Sequence, residues 1–289
     1  MQVTLHTPDS IYSPRHILSW LLLALTSGFV NGFAFLVCQQ FVTHVTGTVT
    51  RAGLELQHVG IAAEYASVYV SFVVGAAMAV IVTQARARAQ GADRWVTPLF
   101  VIAAILATVA VIGHFGGFVQ IGSTLATDRP PVVLLSLLAF ASGMQNAAVA
   151  STTSMSVRTT HLTGPTTDIG MLLGAACVSA GPGRRSMLAG AGLRAGMALS
   201  FMLGASLAVV VTNWAGYLAL LVPAGFILVA GGLSFLPHWS PSDFPFHPEG
   251  AKPPKEGKLA GLPADARPPE EEARQEEAAD AFSGDPRST

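Results

Sequence analysis

The chain has 289 residues, of which 51% are hydrophobic and only 11% charged, with a mean hydropathy of +0.51. Soluble globular domains carry about 25% charged residues, so this composition excludes an ordinary soluble fold and predicts a membrane protein. The net charge of −1 hides a division, because the chain from Pro237 onward holds 11 of the 17 acids while the body before it has 10 arginines, no lysine and 6 acids.

Residues 1–14 show no basic region leading into a short apolar stretch and cleavage site, so no cleaved signal peptide is expected. The first apolar segment, Ile17–Val37, is long enough to cross a hydrocarbon core of about 30 Å. Five more follow at Glu64–Thr83, Trp95–Phe118, Pro131–Ala150, Met187–Val211 and Trp214–Phe235. The predicted fold is all-α, a polytopic bundle of about six spanning helices over residues 15–236. Small residues such as Gly75, Gly196 and Gly204 recur inside these segments, where they allow helix backbones to approach closely. Cys38 and Cys177 form no disulfide or zinc spacing and read as packed thiols. From residue 237 to 289, 10 of the 18 prolines and runs such as Glu270-Glu271-Glu272 predict a disordered acidic tail.

Val42–Gly60 and Leu162–Ala180 are too apolar for loops, and at about three to four turns each they are too short to span. They predict half-helices or re-entrant segments, each following a spanning helix that breaks near its end. Irregular backbone at membrane depth is tolerated only where protein buries it or a wet cavity solvates it. That makes these two segments the place to expect a site.

The same pattern occurs twice. Ser71–Thr83 reads S-F-V-V-G-A-A-M-A-V-I-V-T and Ser200–Thr212 reads S-F-M-L-G-A-S-L-A-V-V-V-T. Upstream, Ser27-Gly28, Asn31 and His44-x-Thr46-Gly47 return as Ser142-Gly143, Asn146 and His161-x-Thr163-Gly164. Three spans per unit (about 15–118 and 131–236) would set the copies upside down relative to each other, as in many secondary transporters. Arginine placement agrees. Arg15, Arg86, Arg88, Arg94, Arg158, Arg184, Arg185 and Arg194 mark one side, which predicts both termini in the cytoplasm.

Candidate site residues sit at mirrored positions. His44 and His161 carry imidazoles suited to proton coupling. Thr46 and Thr163 read as helix caps, and with Gly47 and Gly164 they mark two half-helix N-termini that would suit an anionic or polar solute. Pro165 reads as the first helical residue of the second half-helix. Arg51 and Asp168 each follow the glycine by four residues, and opposite charges there could pair across the pseudo-two-fold axis. The competing reading leaves Arg51 at the surface and Asp168 as part of a cap. Asn31 and Asn146 lie within the preceding spans, where buried amides line a site or simply bond between helices. No catalytic or nucleotide-binding motif is present, so the sequence predicts neither an enzyme nor a cofactor or metal site, and no nucleic-acid partner.

The stretches L-T-S-G-F-V-N-G-F-A-F-L (Leu25–Leu36), F-V-T-H-V-T-G-T (Phe41–Thr48), S-G-M-Q-N-A (Ser142–Ala147) and R-T-T-H-L-T-G-P-T-T-D-I-G (Arg158–Gly170) resemble the YoaK-like family of bacterial inner-membrane proteins, also called domain of unknown function 1275. The resemblance covers roughly residues 14 to 236 and implies a compact polytopic bundle in the inner membrane, without implying a substrate. The family's first copy often reads D-A-x-x-F and T-G-N. Here Asn31 and Thr48 stand at those places, which removes the acid's charge.

The leading expectation is a small transporter for a polar or anionic solute, with protons as a candidate coupling ion and a homodimer as its working form. The alternative is a membrane scaffold that recruits partners through its tail. A water-accessible cavity between the two T-G loops would favour the transporter, and a dry core there the scaffold.

Overall fold

The computed structural model describes residues 12–90, 96–118, 121, 131–153, 157–160 and 162–233. His161, the segments holding Arg94 and Arg129, and the acidic tail lie outside the described residues, and with them the expectations placed there. The described elements are helices: α1 (Pro14–Cys38), α2 (Val45–Leu54), α3 (Val59–Gln90), α4 (Thr97–His114), α5 (Val132–Thr152), α6 (Thr163–Val178), α7 (Pro182–Ala215), a 3-10 segment (Gly216–Leu220) and α8 (Leu221–Leu233). Five helical stretches are long and apolar enough to cross a membrane.

Local chemistry sets the breaks. The Ser13 hydroxyl accepts the His16 N–H at 3.4 Å and starts α1. Gln39 ends it in the left-handed region at φ 54°, its own N–H reaching the Phe35 carbonyl at 2.9 Å. The last apolar stretch runs for 51 residues from Gly183 to Leu233. As one straight helix it would be about 76 Å long, more than twice a hydrocarbon core. Gly216, at φ 59°, interrupts it, and the 3-10 segment folds the chain back so that α8 lies along α1 and α4. The short helices occur where the sequence predicted half-helices. The first stops at Leu54, however, and α3 already begins at Val59.

Packing partners come in matched sets. α1 crosses α7 as α5 crosses α3, α2 lies on α3 as α6 lies on α7, and α1 meets α8 as α5 meets α4. Exchanging the first four elements with the last four maps each of these contacts onto another. The two main crossings match residue for residue. A Cβ on Gly28 would collide with the Phe201 backbone, and one on Gly204 with the Leu25 backbone. At the other crossing, Gly143 stands against the Phe72 backbone and Gly75 against Phe140. Only glycine permits such an approach, which favours dispersion contact and Cα–H···O bonds where lipid supplies no hydrophobic drive.

The outward faces are apolar. Val70, Val73 and Ile81 on α3, Phe100 and Val111 on α4, and Leu199, Met202 and Val210 on α7 are all exposed. Inside, polar Ser27, Asn31, Ser142 and Gln145 are buried among Phe29, Phe33, Leu134 and Leu138. Lipid accommodates an apolar surface of this extent and water does not, which makes the chain a multi-pass membrane protein.

Candidate functional site

The first T-G segment is tied down by one amide. Asn31 is buried in α1, and its Oδ1 accepts the backbone N–H groups of Val42 and Thr43, both at 3.1 Å. These bonds fold residues 40–44 back along the helix that they have just left. Asn31 is thereby committed to holding backbone, the structural of its two expected roles. A carboxylate at this position could accept the same two donors. Asn31 in place of an acid therefore removes charge and keeps the acceptor that holds these two N–H groups.

α2 starts where this tether ends. His44 is its N-cap residue and makes no side-chain cap bond; its ring is exposed and lies edge-on to Phe41 at 6.3 Å. Gly47 leaves room for that ring, since a Cβ there would sit 2.6 Å from Nδ1. Thr46 and Thr163, expected as caps, are instead the second residue of α2 and the first of α6, and neither helix has a side-chain cap bond. Both helices start earlier than the hydroxyl spacing suggested. Pro165 is therefore the third helical residue rather than the first, still within the turn where its missing N–H costs nothing. The neighbouring threonines bond backward: Thr50 Oγ1 donates to the Thr46 carbonyl at 2.8 Å, and Thr167 Oγ1 to the Thr163 carbonyl at 3.1 Å. Gly164 lies beside Thr163 in the first turn of α6 and is half-buried.

Arg51 and Asp168 do not pair. Each half-helix packs on the long helix of its own half, and each charge finds its partner there. The Arg51 Nη1 donates to the Tyr65 hydroxyl at 3.2 Å, and its guanidinium stands 6.0 Å from the ring centroid. Gln40 Nε2 donates to the same hydroxyl at 3.3 Å. Asp168 Oδ2 accepts Arg194 Nε at 3.0 Å, while Arg194 Nη1 reaches the Gly190 carbonyl at 3.2 Å. Tyr65 lies six residues before Ser71 and Arg194 six before Ser200, so the two pairs occupy equivalent positions in the repeat. Neither partner stood out by residue type, although alignment of the repeat would have located both.

The second T-G segment is held differently. Asn146, the counterpart of Asn31, has a buried Oδ1 with no partner among the described residues. Its neighbour Gln145 does the holding. The Gln145 Nε2 lies 2.8 Å from the Leu23 carbonyl, 2.8 Å from Ser27 Oγ and 3.4 Å from Thr159 Oγ1. Sequence reasoning passed over Gln145, which has no counterpart in the first copy, where Val30 precedes Asn31. Ser27, Gln145 and Thr159 are 2, 3 and 1% exposed, so this contact between α1, α5 and the second loop is closed.

A cavity of about 370 Å³ lies elsewhere, lined by Gly113, His114, Phe118, Gly216 and Tyr217 at the ends of α4 and α7. Among the described residues, no three His, Cys, Asp or Glu groups cluster as metal ligands. Cys38 is buried as expected, whereas Cys177 is exposed on α6, a helix with only Ala176 buried.

A family model described as protein of unknown function (DUF1275) matches residues 19–233. No curated protein and no solved structure is significantly similar to the chain.

Proposed function

The chain belongs to the DUF1275 family of proteins of unknown function, and on that footing we propose that it is a small secondary transporter for a polar or anionic solute. Its two halves would be inverted repeats of three crossings each, with α7 and the 3-10/α8 segment counted as two spans. The matched crossings at Gly28–Gly204 and Gly143–Gly75 support this reading. So does the length of α2 and α6, which at about 15 and 24 Å are too short to span, as re-entrant segments are. Arginine placement supports an inner-membrane protein with cytoplasmic termini.

One observation carries the functional part. Each half sets a guanidinium into the seam between its half-helix and its long helix, Arg51 against Tyr65 and Arg194 against Asp168. A guanidinium set in the matching seam of both halves, one against a phenol and one against a carboxylate, is the kind of group that recognises an anion and supports a polar or anionic solute. The site would comprise His44, Thr46, Gly47 and Arg51 on one side, on a loop that Asn31 holds in place. On the other it would comprise Asn146, His161, Thr163 and Gly164, with Asp168 covering Arg194 beside them. Protons are the proposed coupling ion and a homodimer the proposed working form.

Uptake of labelled metabolites into proteoliposomes tests the proposal. Saturable uptake by the wild type, reduced in His44→Ala, His161→Ala and Arg51→Gln, is the expected result. Folded, reconstituted protein that moves no polar or anionic solute would exclude transport. The closed contact around Gln145 favours a second reading, a membrane scaffold without a solute path. That reading predicts partner capture by the tail and no uptake.

A further inference from the structure

The mirrored seams differ in one respect that bears on substrate class. In the second half, Arg194 reaches its half-helix and is covered by a carboxylate, with Asp168 Oδ2 accepting from Nε at 3.0 Å. In the first half the guanidinium comes from the half-helix, and the equivalent long-helix position offers a neutral phenol, the Tyr65 hydroxyl at 3.2 Å from Nη1. That bond uses one of the five N–H donors of Arg51. Among the described residues Arg51 makes no ion pair with an acid. Its side chain is exposed, while Tyr65 is 6% exposed and fixed by a second donor, Gln40 Nε2 at 3.3 Å.

A buried phenol holds one arm of the guanidinium and leaves its other donors for a ligand, and a donor fork of that kind matches two carboxylate oxygens. We propose that Arg51, held by Tyr65 and Gln40, binds a small carboxylate, and that Asp168 is the chain's own carboxylate occupying the equivalent seam of the other half. The substrate class is then a carboxylate anion, taken up at the Arg51 seam and excluded from the Arg194 seam while Asp168 stays in place. As a substrate site this rests on the transport reading. Carboxylate binding is measured without transport, so the two can fail separately.

The test is equilibrium dialysis of the full-length protein in detergent with radiolabelled acetate, with inorganic phosphate and ethylamine as competitors. Wild type is expected to bind one acetate per chain, displaced by phosphate only weakly and by ethylamine not at all. Arg51→Gln is expected to weaken binding about tenfold or more, the scale of a lost charged contact. Tyr65→Phe keeps the ring and the charge but not the anchoring hydroxyl, and weakens binding several-fold; it serves equally if Arg51→Gln does not fold. Asp168→Asn uncovers Arg194 and raises the stoichiometry to two. Absence of saturable acetate binding, binding unchanged in both Arg51→Gln and Tyr65→Phe, or phosphate binding as tightly as acetate would overturn the site. A stoichiometry that stays at one in Asp168→Asn would overturn the role given to Asp168.

Discussion

Gly28 and Gly204 face each other across the α1–α7 crossing, each leaving its partner's helix backbone no room for a methyl group. Gly28 stands against Phe201, three residues before Gly204, and Gly204 against Leu25, three residues before Gly28. The same reciprocal spacing recurs at α5–α3 with Phe140, Gly143, Phe72 and Gly75. These four glycines are the landmarks by which the repeat is visible in the sequence, and their shared position reflects a shared contact.

Glycine substitutions should therefore separate sharply by position. Gly28→Ala and Gly143→Ala should each cost roughly 2–3 kcal/mol, because a methyl against a fixed backbone forces two helices apart. Gly174→Ala and Gly192→Ala, where a Cβ meets nothing within 4 Å, should be neutral or slightly stabilising through helix propensity. Thermal unfolding of the four variants in detergent reads the contrast. Equal effects at all four positions would mean that the crossings are not where stability resides.

Asn31 should tolerate an acid better than an apolar residue. Asn31→Asp keeps an acceptor for the Val42 and Thr43 N–H groups, whereas Asn31→Leu strands both donors at about 1–3 kcal/mol each. Hydrogen exchange at those two amides is the direct readout. Protection should survive in Asn31→Asp and disappear in Asn31→Leu.

Charge exchange distinguishes the observed ion pair from the one that spacing suggested. Asp168→Arg combined with Arg194→Asp should recover most of what either single substitution loses. The recovery should be modest, up to about 1 kcal/mol, since Asp168 is 39% exposed. Arg51→Asp combined with Asp168→Arg should recover nothing. Stability measured across both double-mutant cycles decides between the pairings, and rescue only in the second cycle would contradict the geometry.

Much of the helical layout was legible, for a physical reason. A span must be long and apolar and a half-helix cannot be, so Val45–Leu54 and Thr163–Val178 announce themselves by length as much as by content. The glycine landmarks were legible because close approach leaves one residue type. The partners of Arg51 and Asp168 were not, because spacing along one chain does not say which neighbour a half-helix lies on. Pairing across the axis seemed natural from matched positions, yet each half-helix packs against its own half. The threonine caps failed for a related reason: the start of α2 is set by the bonds from Val42 and Thr43 to Asn31, not by the nearest hydroxyl. Gln145 was missed because the repeat drew the eye to Asn146 beside it, and only the fold brings Leu23, Ser27 and Thr159 within its reach.

Gln145→Leu should loosen the second loop selectively. It removes the donor that joins α1 to Thr159, leaving the Thr159 hydroxyl to find another partner at roughly 1–3 kcal/mol, while Ser27 keeps its bond to the Leu23 carbonyl. Limited proteolysis should show faster cleavage near Arg158, which is exposed, with the first loop unaffected. Equal cleavage rates in variant and wild type would count against the holding role.

Inversion of the two halves underlies the proposed mechanism, and site-directed cysteine labelling tests it most directly. With Cys38 and Cys177 replaced, single cysteines at Gly53, at the end of α2, and at Ala180, just after α6, are exposed beyond the two half-helices. A membrane-impermeant maleimide added to intact cells and to inverted vesicles should label Gly53→Cys from outside and Ala180→Cys from inside. Labelling of both from the same side would show the halves to be parallel and would contradict the account.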